Sequence, residues 1–500
     1  MKSIKKFPIL IITVVCLLFS IKSYGATLKI SSTTVSATIS KGKSYEFLNK
    51  SKKVGQVKVN GLSNTSYDYV VYNKTKSVVT SKLADWGTSI IKVPSGGKVV
   101  ITGQSNVKVK ASATKSVFKV KASSSPAFAR FNVSKGKSYE FMNKSKKEGS
   151  VQVVGLANTD FDYVVYDKAK NVVFSRISGW GTSSITVPSG GKVVITGQGK
   201  KPVIAGGPKL QFQGKASSKP AFTRFTISQG KSYEFLNTSK KEVDVRVDGL
   251  ANTDFDYVVY DKAKNVVFSR ISAWGTSSIT VPSGGKVVIT GQGKKPVIAG
   301  GPKLQFQGKT SRTPAFTRFT IPQGKSYEFL NRSQEEGQVK IYGLYNSRYD
   351  YVVYDKSNNV VTSNLAGWGT GTIMVPSGGK VVITVQSKES IKAGGPKLQF
   401  QGKTSNTPAF TRFTIPQGKS YEFLNRSQKE GQVMVYGLYK SSYDYVVYDK
   451  ANNVVTSKLA EWGTATIKVP SGGKVVITGQ GKESIIAGGP QSLFTGKAIQ

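Results

Sequence analysis

The chain contains no histidine in 500 residues and only one cysteine, Cys16. These absences exclude serine–histidine and cysteine–histidine nucleophiles and the ordinary zinc sites. Beyond the amino terminus, no segment reaches the roughly 18 consecutive apolar residues of a membrane helix. Acids are scarce as well: 27 Asp and Glu face 72 Lys and Arg, a net charge of +45. Such a surface attracts polyanions in a salt-sensitive way. The competing reading is that the charge serves only solubility and mutual repulsion.

The amino terminus carries Lys2, Lys5 and Lys6, an apolar run from Phe7 to Phe19, and the small residues Ser23 and Gly25 before Ala26. This is the pattern of a secretory signal peptide spanning residues 1–25. Val15 before Cys16 argues against a lipoprotein signal, and residues 493–500 show no wall-sorting pattern. The expected product is secreted, extracellular or held non-covalently at a cell surface, with no transmembrane anchor. Four lysines and the cysteine leave with the peptide, so the mature charge is +41 and disulfides are excluded.

The motif Gly-Lys-Ser-Tyr-Glu-Phe recurs five times, with Tyr45, Tyr139, Tyr233, Tyr327 and Tyr421 at a constant step of 94 residues, and the five tryptophans keep the same step. That period is too long for a solenoid repeat and suits a small independent domain. The expected segments are 26–126, 127–220, 221–314, 315–408 and 409–500. Residues 155–215 and 249–309 differ only where Gly179 becomes Ala273, so identity between copies 2 and 3 reflects duplication more than function. Charge falls along the copies as +14, +10, +7, +5 and +5.

In copy 3, Val243-Asp-Val-Arg-Val-Asp248 alternates with a period of two, the mark of a strand with one buried face. Pro282-Ser-Gly-Gly285 between two apolar runs reads as a hairpin turn whose glycines supply positive φ. With Phe222–Ile227, Ser232–Asn237, Asp254–Tyr260, Val266–Ile271 and Leu304–Gln307, each copy reads as about eight strands and no helix, with Gly300-Gly-Pro302 as a turn. The predicted fold is all-β: five tandem jelly-roll-like β-sandwich domains. Copy 1 replaces the Gly-Gly-Pro segment with residues 107–114 but keeps the last strand. The junctions are short, polar and end in Pro126, Pro220, Pro314 and Pro408, which predicts a semi-rigid array about 150–200 Å long.

In copy 5, Phe413-Thr-Ile-Pro-Gln-Gly-Lys-Ser-Tyr-Glu-Phe423, Asp444-Tyr-Val-Val-Tyr-Asp449 and Ile467-Lys-Val-Pro-Ser-Gly-Gly-Lys-Val-Val-Ile477 together resemble bacterial prepeptidase C-terminal domains. That resemblance implies secreted jelly-roll accessory modules, some similar to collagen- or carbohydrate-binding domains.

Two carboxylates recur in every copy: Glu46, Glu140, Glu234, Glu328 and Glu422, and Asp68, Asp162, Asp256, Asp350 and Asp444. A glycosidase needs such a pair across a cleft, which a domain this small scarcely offers. The structural reading is that the acids meet lysines across strands or accept backbone hydrogen bonds at a turn. Asp160 with Asp162, and Asp254 with Asp256, have a calcium-like spacing, but copies 1, 4 and 5 carry Ser66, Arg348 and Ser442 instead. Exposed strand-end acids are the simpler account, and neither a metal nor a cofactor is expected. Ser95-Gly-Gly-Lys98 lacks phosphate-loop spacing, and Asn49, Asn143, Asn237, Asn331 and Asn425 lead turns.

Candidate binding residues fall in two groups. Trp86, Trp180, Trp274, Trp368 and Trp462 precede glycine in expected loops. A lone tryptophan in a sandwich is ordinarily a core plug; the alternative is a stacking platform repeated five times. Copies 4 and 5 add Tyr342, Tyr345, Tyr436 and Tyr439, of which Tyr342 and Tyr436 fall on the expected wet face of their strand. The candidate polyanion contacts are the turn lysines Lys50, Lys52, Lys53, Lys144, Lys146, Lys147, Lys240 and Lys241. Export argues against intracellular nucleic acid. The expected partner is an anionic polysaccharide, wall polymer or host surface glycan, bound without catalysis. The rivals are a self-associating matrix, coat or fibre component and, third, a glycan hydrolase.

Overall fold

The structure is a computed structural model that describes residues 33–156, 159–249, 253–438 and 440–499. The expected signal peptide and Tyr439 lie outside the described residues. Two compact units are present, Met1–Ala127 and Phe128–Gln500. The first holds copy 1 and the second holds copies 2 to 5. Among the described residues there is no helix.

Copy 1 sets the pattern. Its strands are β1 (Thr34–Ile39), β2 (Ser44–Asn49), β3 (Gly55–Asn60), β4 (Ser66–Tyr72), β5 (Val78–Trp86), β6 (Ser89–Val93), β7 (Lys98–Gly103), β8 (Val109–Thr114) and β9 (Phe118–Ala122). They form a four-stranded sheet in the order β1-β8-β3-β6 and a five-stranded sheet in the order β5-β4-β7-β2-β9, all antiparallel. This is the jelly-roll order with one added edge strand. Every later copy repeats it, so the same labels serve throughout.

Local chemistry explains the elements. In β3 the burial alternates residue by residue, with Val57 and Val59 inward. The hairpin between β6 and β7 turns on Gly96 at φ 65°, which an L residue adopts reluctantly. Each copy closes its own core of valines, isoleucines and phenylalanines between the two sheets.

Each copy has nine strands where the sequence suggested about eight. The added one is β8, Val297–Pro302 in copy 3, which contains the Gly-Gly-Pro read from the sequence as a turn. The glycine belongs there because the Phe306 ring lies against Gly301, where a Cβ would collide with it. The segment is extended, and its missing side chain is what seats the next strand's phenylalanine.

Within the second unit the copies are not separated beads. The outer face of one copy's five-stranded sheet packs on the first strand of the next. Val258, Tyr260, Ile271 and Val288 of copy 3 close over Ala315 and Phe316 of copy 4, and Tyr342 of copy 4 packs against them. Copies 2 and 3 repeat this with Val164, Tyr166, Ile177, Val194, Ala221 and Phe222; copies 4 and 5 do so with Val352, Tyr354, Leu365, Val382, Ala409 and Phe410. In copies 2 to 4, β4 and β7 are therefore buried on both faces, inside their own sandwich and between sandwiches.

Candidate functional site

The recurring acids come first, because they organise the site around them. Each glutamate of β2 sits between two lysines on neighbouring strands. Glu140 meets Lys192 at 2.8 Å and Lys215 at 3.1 Å, and Glu234 meets Lys286 at 2.7 Å and Lys309 at 3.4 Å. Burial alone would raise these carboxyls, but the paired lysines outweigh it and hold Glu140 and Glu234 below their ordinary range.

The aspartate of β4 shapes β5. Asp256 Oδ1 accepts the Ser272 amide at 2.8 Å, and Oδ2 accepts Gln292 Nε2 at 2.7 Å. Ser272 has φ 51°, and the ladder between β4 and β5 slips there. Every copy makes this bulge at the equivalent residue, from Ala84 to Ala460. The arrangement matches the turn-and-lysine reading of both acids. The remaining ligand of the aspartate is an arginine from the next copy: Arg224 reaches Asp162 at 2.6 Å, Arg318 reaches Asp256 at 2.7 Å and Arg412 reaches Asp350 at 2.9 Å. Burial pushes all three carboxyls up, against the pull of the arginine.

Asp162 and Asp256 are therefore buried charges and not exposed strand-end acids. They lie between two sandwiches, and each needs its arginine there. In copy 3, Asp254 also meets Lys392 of copy 4 at 2.8 Å. Two cations already stand where a calcium ion would have to sit. Among the described residues no cluster of three metal-ligating side chains exists.

The bulge also decides where the tryptophans go. It inserts one extra residue into β5 and shifts the alternation, so the last residue of the strand turns outward. All five indoles are exposed, from 63% at Trp368 to 79% at Trp462, and none is a core plug. The phenylalanines and tyrosines of β2 and β4 fill the core in their place.

The tyrosines divide. Tyr342 and Tyr436, expected on a wet face, are half-buried where copy 4 meets copy 3 and copy 5 meets copy 4. Their strand does face outward from its own sandwich, but the preceding copy covers it. Tyr345 is fully in solvent at 83% exposed. Its ring meets the Trp368 indole edge-on, with centroids 5.9 Å apart and planes at 85°. Tyr436 comes from copy 5 to the same corner, with the Arg348 guanidinium 5.7 Å over its ring. Tyr345, Asn346, Arg348, Trp368 and Tyr436 line a cleft of about 340 Å³. Three residues singled out in the sequence thus converge, and the sequence missed Arg348 and Asn346 as their partners.

The basic turns lie elsewhere. Lys50, Lys52, Lys53, Lys144, Lys146, Lys147, Lys240 and Lys241 are all exposed, and none makes an ion pair among the described residues. Lys240 and Lys241 line a groove of about 580 Å³ between copies 2 and 3 with Lys170, Phe174, Asp244 and Arg246. The asparagine leading each turn is buried. Asn331 Nδ2 donates to the carbonyls of Glu335, Val375 and Pro376 at 2.8, 2.9 and 3.0 Å, and its Oδ1 accepts from Ser333 N and Oγ.

The chain matches no protein-family model and no curated protein.

Proposed function

We propose that the chain is a secreted, non-catalytic tandem-repeat protein that attaches to anionic glycans or wall polymers outside the cell. One observation carries the reading: the same indole stands in solvent at the same place in all five copies, 63–79% exposed. An exposed large aromatic costs solubility unless something covers it, and sugar rings are bound on such faces. Repetition lets individually weak sites act together. The unpaired turn lysines add long-range attraction at the more basic end of the sequence. The layout resemblance to prepeptidase C-terminal domains also favours a binding module. The recurrent glutamates are held by lysines, and the aspartates of copies 2 to 4 by arginines, which argues against their serving as a free acid and base for hydrolysis.

The test measures binding of the full chain to purified anionic wall polymers and to neutral polysaccharides across a salt series. Replacing all five tryptophans by alanine should remove the salt-resistant part of binding; replacing the eight turn lysines by glutamine should remove the salt-sensitive part. Binding to none of these polymers would overturn the proposal.

A second reading, a self-assembling matrix or fibre component, is favoured by a different observation. Copy 5 exposes the face that copies 2 to 4 bury: Leu459 is 81% exposed, whereas Ile177, Ile271 and Leu365 are 4–6% exposed. Concentration-dependent association in sedimentation, abolished by Leu459→Lys, would support it. A monomer at all concentrations would dismiss it.

A further inference from the structure

We propose that the corner between copies 4 and 5 is a binding site for an acidic sugar residue: Arg348 holds the carboxylate and the Trp368 indole stacks on the ring. The proposal rests on the glycan-binding reading above and gives it a ligand class.

The argument starts from the ladder between β4 and β5. In every copy the first residue of β4 lies directly opposite the exposed tryptophan. The pairs are Ser66 with Trp86, Asp160 with Trp180, Asp254 with Trp274, Arg348 with Trp368, and Ser442 with Trp462. Among these five ladder pairs, only that of copy 4 sets a cation opposite the indole. The acids there in copies 2 and 3 and the serines in copies 1 and 5 offer no positive charge to an anionic ligand.

The neighbouring junction shows what a closed version looks like. Asp254 is met by Lys392 at 2.8 Å and by Arg318 at 3.4 Å, and Lys392 lies 5.5 Å over the Tyr342 ring. Charge is balanced within the protein. At the next junction Arg348 replaces the acid, Ile486 replaces the lysine, and Tyr436 takes the place of Tyr342. Arg348 makes no ion pair among the described residues. It is half-buried against Tyr436, which limits its movement.

The surrounding groups suit a sugar. Trp368 and Tyr345 meet with their planes nearly perpendicular, so the two rings wall the site at right angles to each other. Asn346 offers both a donor and an acceptor for hydroxyls. The planar guanidinium fork matches a carboxylate in two parallel hydrogen bonds. The cleft lies near the small end of the roughly 300–1,000 Å³ range of ligand pockets, room for one or two rings and not for a long segment.

The experiment titrates the full chain with three probes: oligogalacturonate, the same oligomer with its carboxyls reduced to alcohols, and a sulfated neutral oligosaccharide of equal length. Tryptophan fluorescence and calorimetry report binding. Oligogalacturonate should bind at least about tenfold tighter than its reduced form, the scale of one charge-assisted hydrogen-bonded contact. Arg348→Gln should erase that preference, Arg348→Lys should restore part of it, and Trp368→Ala should weaken both oligomers. Arg312→Gln, the same charge change at an exposed arginine outside the cleft, serves as the control and should leave the preference unchanged; unaltered melting of each variant confirms folding. Equal binding of uronate and reduced oligomers, a preference that survives Arg348→Gln, or tighter binding of the sulfated probe would each overturn the assignment. Polyanion binding that depends on the turn lysines but not on Arg348 or Trp368 would overturn this site while leaving the attachment reading intact. Failure of every glycan and wall polymer would sink both.

Discussion

Removing Arg318 should open the junction between copies 3 and 4 at neutral pH but barely disturb it in acid. Asp256 is fully buried, and its arginine is only 12% exposed. In Arg318→Ala the carboxyl keeps Ser272 N and Gln292 Nε2 but loses its only cation. Breaking a buried pair from one side costs about 3–5 kcal/mol, because the charge left behind is uncompensated. Phe316 and Ile271 still pack, so the loss should appear as local opening and not as global unfolding. The pH dependence follows from the raised carboxyl. A carboxyl whose pKa is higher folded than unfolded favours the fold in its protonated form. That advantage is complete below the unfolded value, about 3.9, and is lost as pH rises through the folded value. Without Arg318 the folded value rises further, so the penalty grows from acid toward neutral pH. Hydrogen exchange read by mass spectrometry at 266–274 and 337–342 checks this. At neutral pH, protection there should fall by about 3–5 kcal/mol, or roughly 100- to 5,000-fold in opening. The double variant Asp256→Asn with Arg318→Met removes both charges and should recover most of it. Unchanged protection in the single variant, or equal loss in the double, would refute the reasoning.

Position along the array should decide the cost of one substitution: Leu365→Ala should lose about 2–5 kcal/mol, whereas Leu459→Ala, in the same place on copy 5, should lose less than about 0.5, as calorimetry of each variant would show. Asn331→Ala strips three carbonyls and a serine of their partner and should cost at least about 2 kcal/mol in thermal unfolding. Because Glu140 and Glu234 titrate below their ordinary 4.5, the stability they contribute is present above that value and fades as pH falls through their lower folded values. The double variant to glutamine should therefore show a shallower acid limb in melting temperature below about pH 4.5, and an unchanged limb would contradict the lysine pairing.

The sequence by itself determined the repeat, the strand class and the turns. Period-two burial in Val243–Asp248, glycine at positive φ in the hairpin, and a constant 94-residue step are properties of nearest neighbours along the chain. The partners of the glutamates were also foreseeable, since cross-strand lysines follow from pairing β2 with β7 and β9. The run Asp-Tyr-Val-Val-Tyr was a missed signal. Its lack of alternation meant burial on both faces, which implies a second body packed on the sandwich.

Tertiary structure alone decided the rest. Whether a tryptophan at the end of β5 faces in or out depends on a bulge held by an aspartate 16 residues earlier, and alternation cannot be counted through a slip in register. The wet face of β3 became an interface because another copy's sheet lies over it, bringing Tyr342 and Tyr436 into contact with residues dozens of positions away. Arg348 became a candidate anion site because the ladder sets it opposite Trp368 while the next copy supplies Tyr436 beneath it. Local pattern records what each residue prefers, whereas a site between domains depends on which preferences the packing brings face to face.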